Sequence, residues 1–159
     1  MRVLVAIGPS GDCAWLARLA SLLPAATTEV CLAHVVDLEA RRDWERARQR
    51  FIGRPPLPPH RRDEVEAVER ERGRAVLAAA EAALRRAGCS ATTRQELLTE
   101  RPERALVALA THWPAELLAL RARDAPGHPP TGPGSVGHVA RFVLDHAPCP
   151  VLLVRATGR

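Results

Sequence analysis

Residues 3–7 read VLVAI, apolar at every position rather than at alternate ones. A strand with one wetted face alternates. A strand that is apolar throughout is covered on both faces, and such strands belong to parallel sheets sandwiched between helices. The pattern returns at residues 30–36 (VCLAHVV), 116–120 (ELLAL) and 151–154 (VLLV). A fifth strand, residues 92–98, mixes polar and apolar side chains and is expected at a sheet edge. Helical patterns separate the strands. Leu16, Leu19, Ala20 and Leu23 share a face after Asp12, a helix-capping type. Gly73, Leu77, Ala80, Leu84 and Ala87 form a stripe on a helix expected over 63–87, which Gly88 stops. Pro102 opens a helix carrying Ala105, Leu106 and Leu109, and Val139, Phe142, Val143 and His146 share the last one.

This βαβαβαβαβ order predicts an α/β fold, a doubly wound open parallel five-stranded sheet with helices on both faces. Residues 1–159 are expected to form one domain. Residues 38–62 interrupt the alternation: they are Arg-rich, then Pro-rich, and are expected to be a surface excursion, a mobile or loosely packed cover rather than a core element, with Trp44 and Phe51 packing it onto the domain. Ligands of such folds lie beyond the carboxyl ends of the strands, where the chain reverses direction across the sheet. Here that means residues 8–11, the turn after Val36, and residues 121–136.

Composition narrows the function. The formal charge is +5, and all 23 basic residues are Arg. Many sit beside acids, as a solvated helix face would have them. With no Tyr and two Phe there is little to stack bases on, so nucleic acid is not expected as a partner. Cys13, Cys31, Cys89 and Cys149 lack metal-ligand spacing and read as reduced thiols. No apolar run approaches spanning length, so a cytoplasmic protein without membrane contact is expected.

Three segments carry a resemblance. Residues 3–7 with Ser10, then His34, Val35, Val36 and Asp37, then residues 137–154 (GHVARFVLDHAPCPVLLV) resemble the universal stress protein family. The resemblance implies the adenine-nucleotide α-hydrolase-like fold with strand order 3-2-1-4-5. It also implies a stress-response function and a homodimer joined through strand five, Val151, Leu152, Leu153 and Val154. The nucleotide-binding members carry a loop after strand four: glycine, two residues, glycine, nine residues, then Gly-Ser or Gly-Thr. The glycines let backbone N–H groups approach phosphates. Here the first two positions hold Arg121 and Asp124, and the count then reaches Gly134-Ser135. Counting back from the last helix gives Gly137-His138 instead. Those members also carry an aspartate after strand one that contacts the nucleoside, where this chain has Gly8 and then Pro9.

The loop is therefore degenerate. Each lost donor costs about 1–3 kcal/mol, and a few such losses turn micromolar binding into millimolar. Arg121 and Arg123 offset this by pairing with phosphate. The expected site is Ile7, Gly8, Ser10, Val36, Arg121, Gly127, Gly134, Ser135 and Gly137, holding ATP or AMP with magnesium weakly or not at all. No catalytic residue and no metal ligand is assigned. Ser10 has no base placed by sequence, and His34 reads as a satisfied core or rim histidine. His128, His138 and Asp124 lack ligand spacing. Three alternatives stay open: an ATP/AMP binder using Gly127, Gly134, Ser135 and Arg121; a phosphate-processing enzyme with Ser10 and Arg121; and a scaffold whose residues 38–62 bind an acidic partner.

Overall fold

A computed structural model describes residues 1–24, 28–52, 58–122 and 136–155. The apolar run at the start of the chain forms β1, Arg2–Ile7. It pairs in parallel with β2, Glu29–Val35, on one side and with β4, Leu117–Arg121, on the other. Strand β3, Thr92–Leu98, flanks β2, and β5, Val151–Val154, flanks β4. The order is 3-2-1-4-5, with all pairs parallel.

Unbroken apolarity in the strands is explained by two cores. Val3, Val5, Ile7, Val30 and Leu32 point to one face, against Trp15, Leu16 and Leu19 of α1, Trp15–Leu22, and Leu77, Ala80 and Leu84 of α3, Pro59–Arg86. Leu4, Cys31, Ala33 and Leu118 point to the other, against Leu106 and Ala110 of α4, Pro102–His112, and Val143 of α5, His138–His146. The alternation of side chains along a strand sends neighbours to opposite cores. Truncating a buried leucine such as Leu77 to alanine costs about 2–5 kcal/mol. Gly88, at φ 79, ends α3 in the left-handed conformation expected of a helix-terminating glycine.

Edge strand β3 is managed by charge. The Glu81 carboxylate accepts hydrogen bonds from Thr93 Oγ1, Gln95 Nε2 and Arg85 Nη2. These bonds, Thr93's foremost, hold Glu81 below the usual carboxylate range. Arg94 pairs with Glu96 and lies 5.7 Å over the Trp113 ring.

Three expectations are corrected. Helix α3 begins at Pro59, not at residue 63. Proline is suited to the first helical turn, where its missing N–H is not needed, so Pro59 starts the helix instead of breaking it. Residues 53–57, with the rest of the proline cluster, lie outside the described residues. Trp44 and Phe51 do not pack back: they stand 62% and 88% exposed on α2, Leu38–Ile52. Ties of α2 to the domain include buried Leu38 and two ionic contacts, Arg101 Nε to Glu39 Oε2 at 3.2 Å and Nη2 to Asp43 Oδ2 at 2.9 Å. Finally, Ala87 and His146 lie outside their expected stripes and are exposed. The His146 ring stacks on Phe142 instead, with centroids 4.0 Å apart. Among the described residues, no helix is long and apolar enough to cross a membrane.

Candidate functional site

Strands β1, β2 and β4 end side by side, and the chain leaves β1 and β4 toward opposite halves of the sheet. A cleft of about 780 Å³ opens there, within the size range of small-molecule sites. Its walls come from the loop after β1, the end of β2, the end of β4 and the start of α5, with Pro102 and Leu106 of α4 behind.

The loop after β1 is a tight turn. Gly11 takes φ 65, a left-handed conformation that side chains disfavour, and its N–H reaches Gly8 O at 3.3 Å. Asp12 follows and accepts the Ala14 N–H at Oδ1, 3.1 Å, ahead of α1. This is a local turn rather than the expected cap: the helix starts two residues later than expected, with Ala14 at its N-cap and no side-chain cap. Ser10 Oγ lies 3.5 Å from the Asp12 N–H. Gly8 faces open space: a Cβ there would meet nothing within 4 Å. The absence of an acidic side chain at this position is therefore not imposed by crowding.

The end of β2 is closed in on itself. His34 is buried, 6% exposed, and its Nδ1 donates to Ile7 O at 2.8 Å. The Val36 N–H donates to Leu98 O, and Val36 O accepts the Leu38 N–H. Asp37 Oδ1 accepts the Ala40 N–H at 2.8 Å in the first turn of α2. Toward the cleft, Val36 therefore offers an apolar wall rather than a hydrogen-bond donor. Behind it, Gly73 of α3 packs so closely that an added Cβ would lie 2.6 Å from Leu97 Cδ1, 3.1 Å from His34 Cδ2 and 3.2 Å from Val36 Cγ2. Burial pushes the Cys31 thiol, in the same strand, up to about 11, as befits a small apolar side chain.

The β4 side is polar. Arg121 Nη1 pairs with Asp12 Oδ2 at 2.7 Å, the two side chains 28% and 41% exposed. Gly137 precedes α5 in an extended conformation with no side-chain cap, so the first N–H groups of α5 lie beside the cleft.

Of the residues expected at the site, Ile7, Gly8, Ser10, Val36, Arg121 and Gly137 line this one cleft. Gly127, Gly134 and Ser135 lie outside the described residues, as do Arg123, Asp124 and His128. Sequence reasoning missed the partnership of Asp12 with Arg121, which no spacing announces. It also missed the cleft positions of Glu69, Pro102 and Leu106.

The sheet order and the crevice at its switch point place the chain in the open, doubly wound α/β class. Within that class it belongs to the universal stress protein family, whose model matches residues 1–155. No curated protein matches the chain. Among solved structures, a universal stress protein from Archaeoglobus fulgidus in complex with dAMP is 21% identical, with a TM-score of 0.60 and 97% of each chain covered. A universal stress protein family protein from Arabidopsis thaliana with AMP bound is 15% identical, with a TM-score of 0.63; the match covers 99% of this chain and 93% of that one. The universal stress protein UspA from Lactobacillus plantarum is 22% identical, with a TM-score of 0.61 and coverage of 98% and 97%.

Proposed function

We propose that this chain is a homodimeric, non-catalytic stress-response domain whose cleft holds an adenine nucleotide weakly. One observation carries the reading: six positions that the family resemblance assigns to the ligand line a single cleft of about 780 Å³. The dAMP and AMP held by relatives of the same fold support the choice of ligand.

In this reading, Ile7, Val36 and Leu38 supply the apolar wall for a base, and the phosphate lies toward Arg121 and the start of α5. Weakness follows from two substitutions. Gly8 presents no carboxylate to the ribose, and Arg121 stands where the nucleotide-binding loop has its first glycine. Magnesium would come with the phosphates, because among the described residues no group of three His, Cys, Asp or Glu side chains converges on a metal position. Ser10 serves here as a binding hydroxyl at the cleft wall, its Oγ facing the Asp12 N–H at 3.5 Å. Mass analysis of small molecules released from the purified protein tests the ligand. Recovery of a different compound class, or rapid turnover of magnesium-ATP, would defeat the reading.

The dimer rests on the contrast between the edges. Strand β5 is VLLV, with Leu152 and Leu153 half-buried on opposite cores. An uncharged apolar edge aggregates unless it is covered, and pairing with its own copy about a twofold axis covers it. Leu153→Lys should yield monomer or aggregate in sedimentation. A wild-type monomer at micromolar concentration would refute the interface.

A second reading is favoured by exposed Trp44 and Phe51 on the Arg-rich α2. They suit a scaffold that binds an acidic partner. Removing residues 43–57 while the fold persists would abolish that binding and leave nucleotide binding intact.

A further inference from the structure

We propose that Asp12 is a specificity-determining residue of the cleft, a built-in counter-anion that ligand phosphate must displace from Arg121. The proposal rests on the nucleotide reading above and names which nucleotides the site prefers. The guanidinium of Arg121 is the cation that the pair sets at the cleft wall, and its Nη1 is held at 2.7 Å by Asp12 Oδ2. Both side chains are partly shielded, so solvent and salt weaken the contact less than they would a fully exposed pair. Asp12 cannot swing freely after a departing arginine. Its other oxygen, Oδ1, accepts the Ala14 N–H, and Gly11 before it is fixed in the left-handed conformation.

Phosphate and Asp12 therefore compete for one guanidinium. A terminal monophosphate carries close to two negative charges and several acceptor oxygens, so it outbids a carboxylate of one charge. A cyclic phosphodiester carries one charge and gains little by the exchange. An uncharged nucleoside leaves the pair in place. The cleft thus ranks AMP above cyclic AMP, with cyclic AMP close to adenosine.

Calorimetric titration of adenosine, AMP and cyclic AMP into the wild type, Asp12→Asn, Arg121→Gln and the double variant tests this. Asparagine keeps the oxygen that accepts the Ala14 N–H and removes the charge. Asp12→Asn should tighten AMP by about 3- to 10-fold and leave adenosine unchanged. Arg121→Gln should weaken AMP about tenfold, toward the adenosine level. The double variant should behave like Arg121→Gln alone. Asp12→Ser, whose hydroxyl can accept the Ala14 N–H in the same local turn without charge, must reproduce Asp12→Asn and guards against a folding defect in either. Unchanged AMP affinity in both Asp12 variants, or equal tightening of adenosine and AMP, would overturn the role of Asp12 while leaving the nucleotide reading intact. Failure of every variant and the wild type to bind any of the three ligands would overturn that reading and this one together.

Discussion

The β2 side of the cleft and its β4 side are built on opposite plans. On the β2 side, His34 is buried and bonded to Ile7 O, Val36 has its N–H engaged by Leu98, and Gly73 lets α3 press against both. On the β4 side, Arg121 and Asp12 are half-exposed and hold each other, and Gly8 faces empty space. The contrast teaches a division of labour: one wall belongs to the fold, and the other can change without unfolding anything.

Substitutions on the two sides should therefore separate stability from ligand affinity. The largest effect is expected at His34. His34→Leu leaves the buried Ile7 carbonyl without its donor, which costs about 1–3 kcal/mol and should lower the urea midpoint. An unchanged midpoint would mean that this wall is not held as described. Gly73→Ala comes next. Overpacking against Leu97 and His34 costs about 1–3 kcal/mol, against a gain in helix propensity of about 1 kcal/mol, for a net loss of roughly 1 kcal/mol. A more stable variant would show that Leu97 simply moves aside.

Across the cleft, Gly8→Asp should shift stability by no more than about 0.5 kcal/mol, because a Cβ there meets nothing. Its effect belongs to the ligand: a carboxylate reaching the ribose as a charge-assisted acceptor should tighten adenosine about tenfold by calorimetry. Loss of stability without gain in affinity would erase the contrast between the two walls. Ser10→Ala is expected to be the mildest, within about 0.5 kcal/mol in stability, with AMP weakened more than adenosine.

The sheet was legible in the sequence because strands buried on both faces leave no alternation to misread. Residues 92–98 and 151–154 were placed residue for residue. The start of α3 was not, because a proline opening a helix looks the same in sequence as a proline ending one. Trp44 and Phe51 misled for a related reason: a large apolar side chain signals burial only where a complementary surface exists, and both stand exposed on α2. Among the site residues, those fixed by strand ends were readable, since a strand end and the loop after it are local. The Asp12–Arg121 pair was not, because it joins two loops distant in the chain. It exists only once β1 and β4 lie side by side.

The most direct test of the account is calorimetric titration of the wild-type protein with AMP and with magnesium-ATP under the same conditions. The account predicts that both bind, with dissociation constants from about 0.1 mM into the millimolar range, and that ATP binds no more tightly than AMP. ATP binding in the low micromolar range, or no binding of either nucleotide, would contradict it.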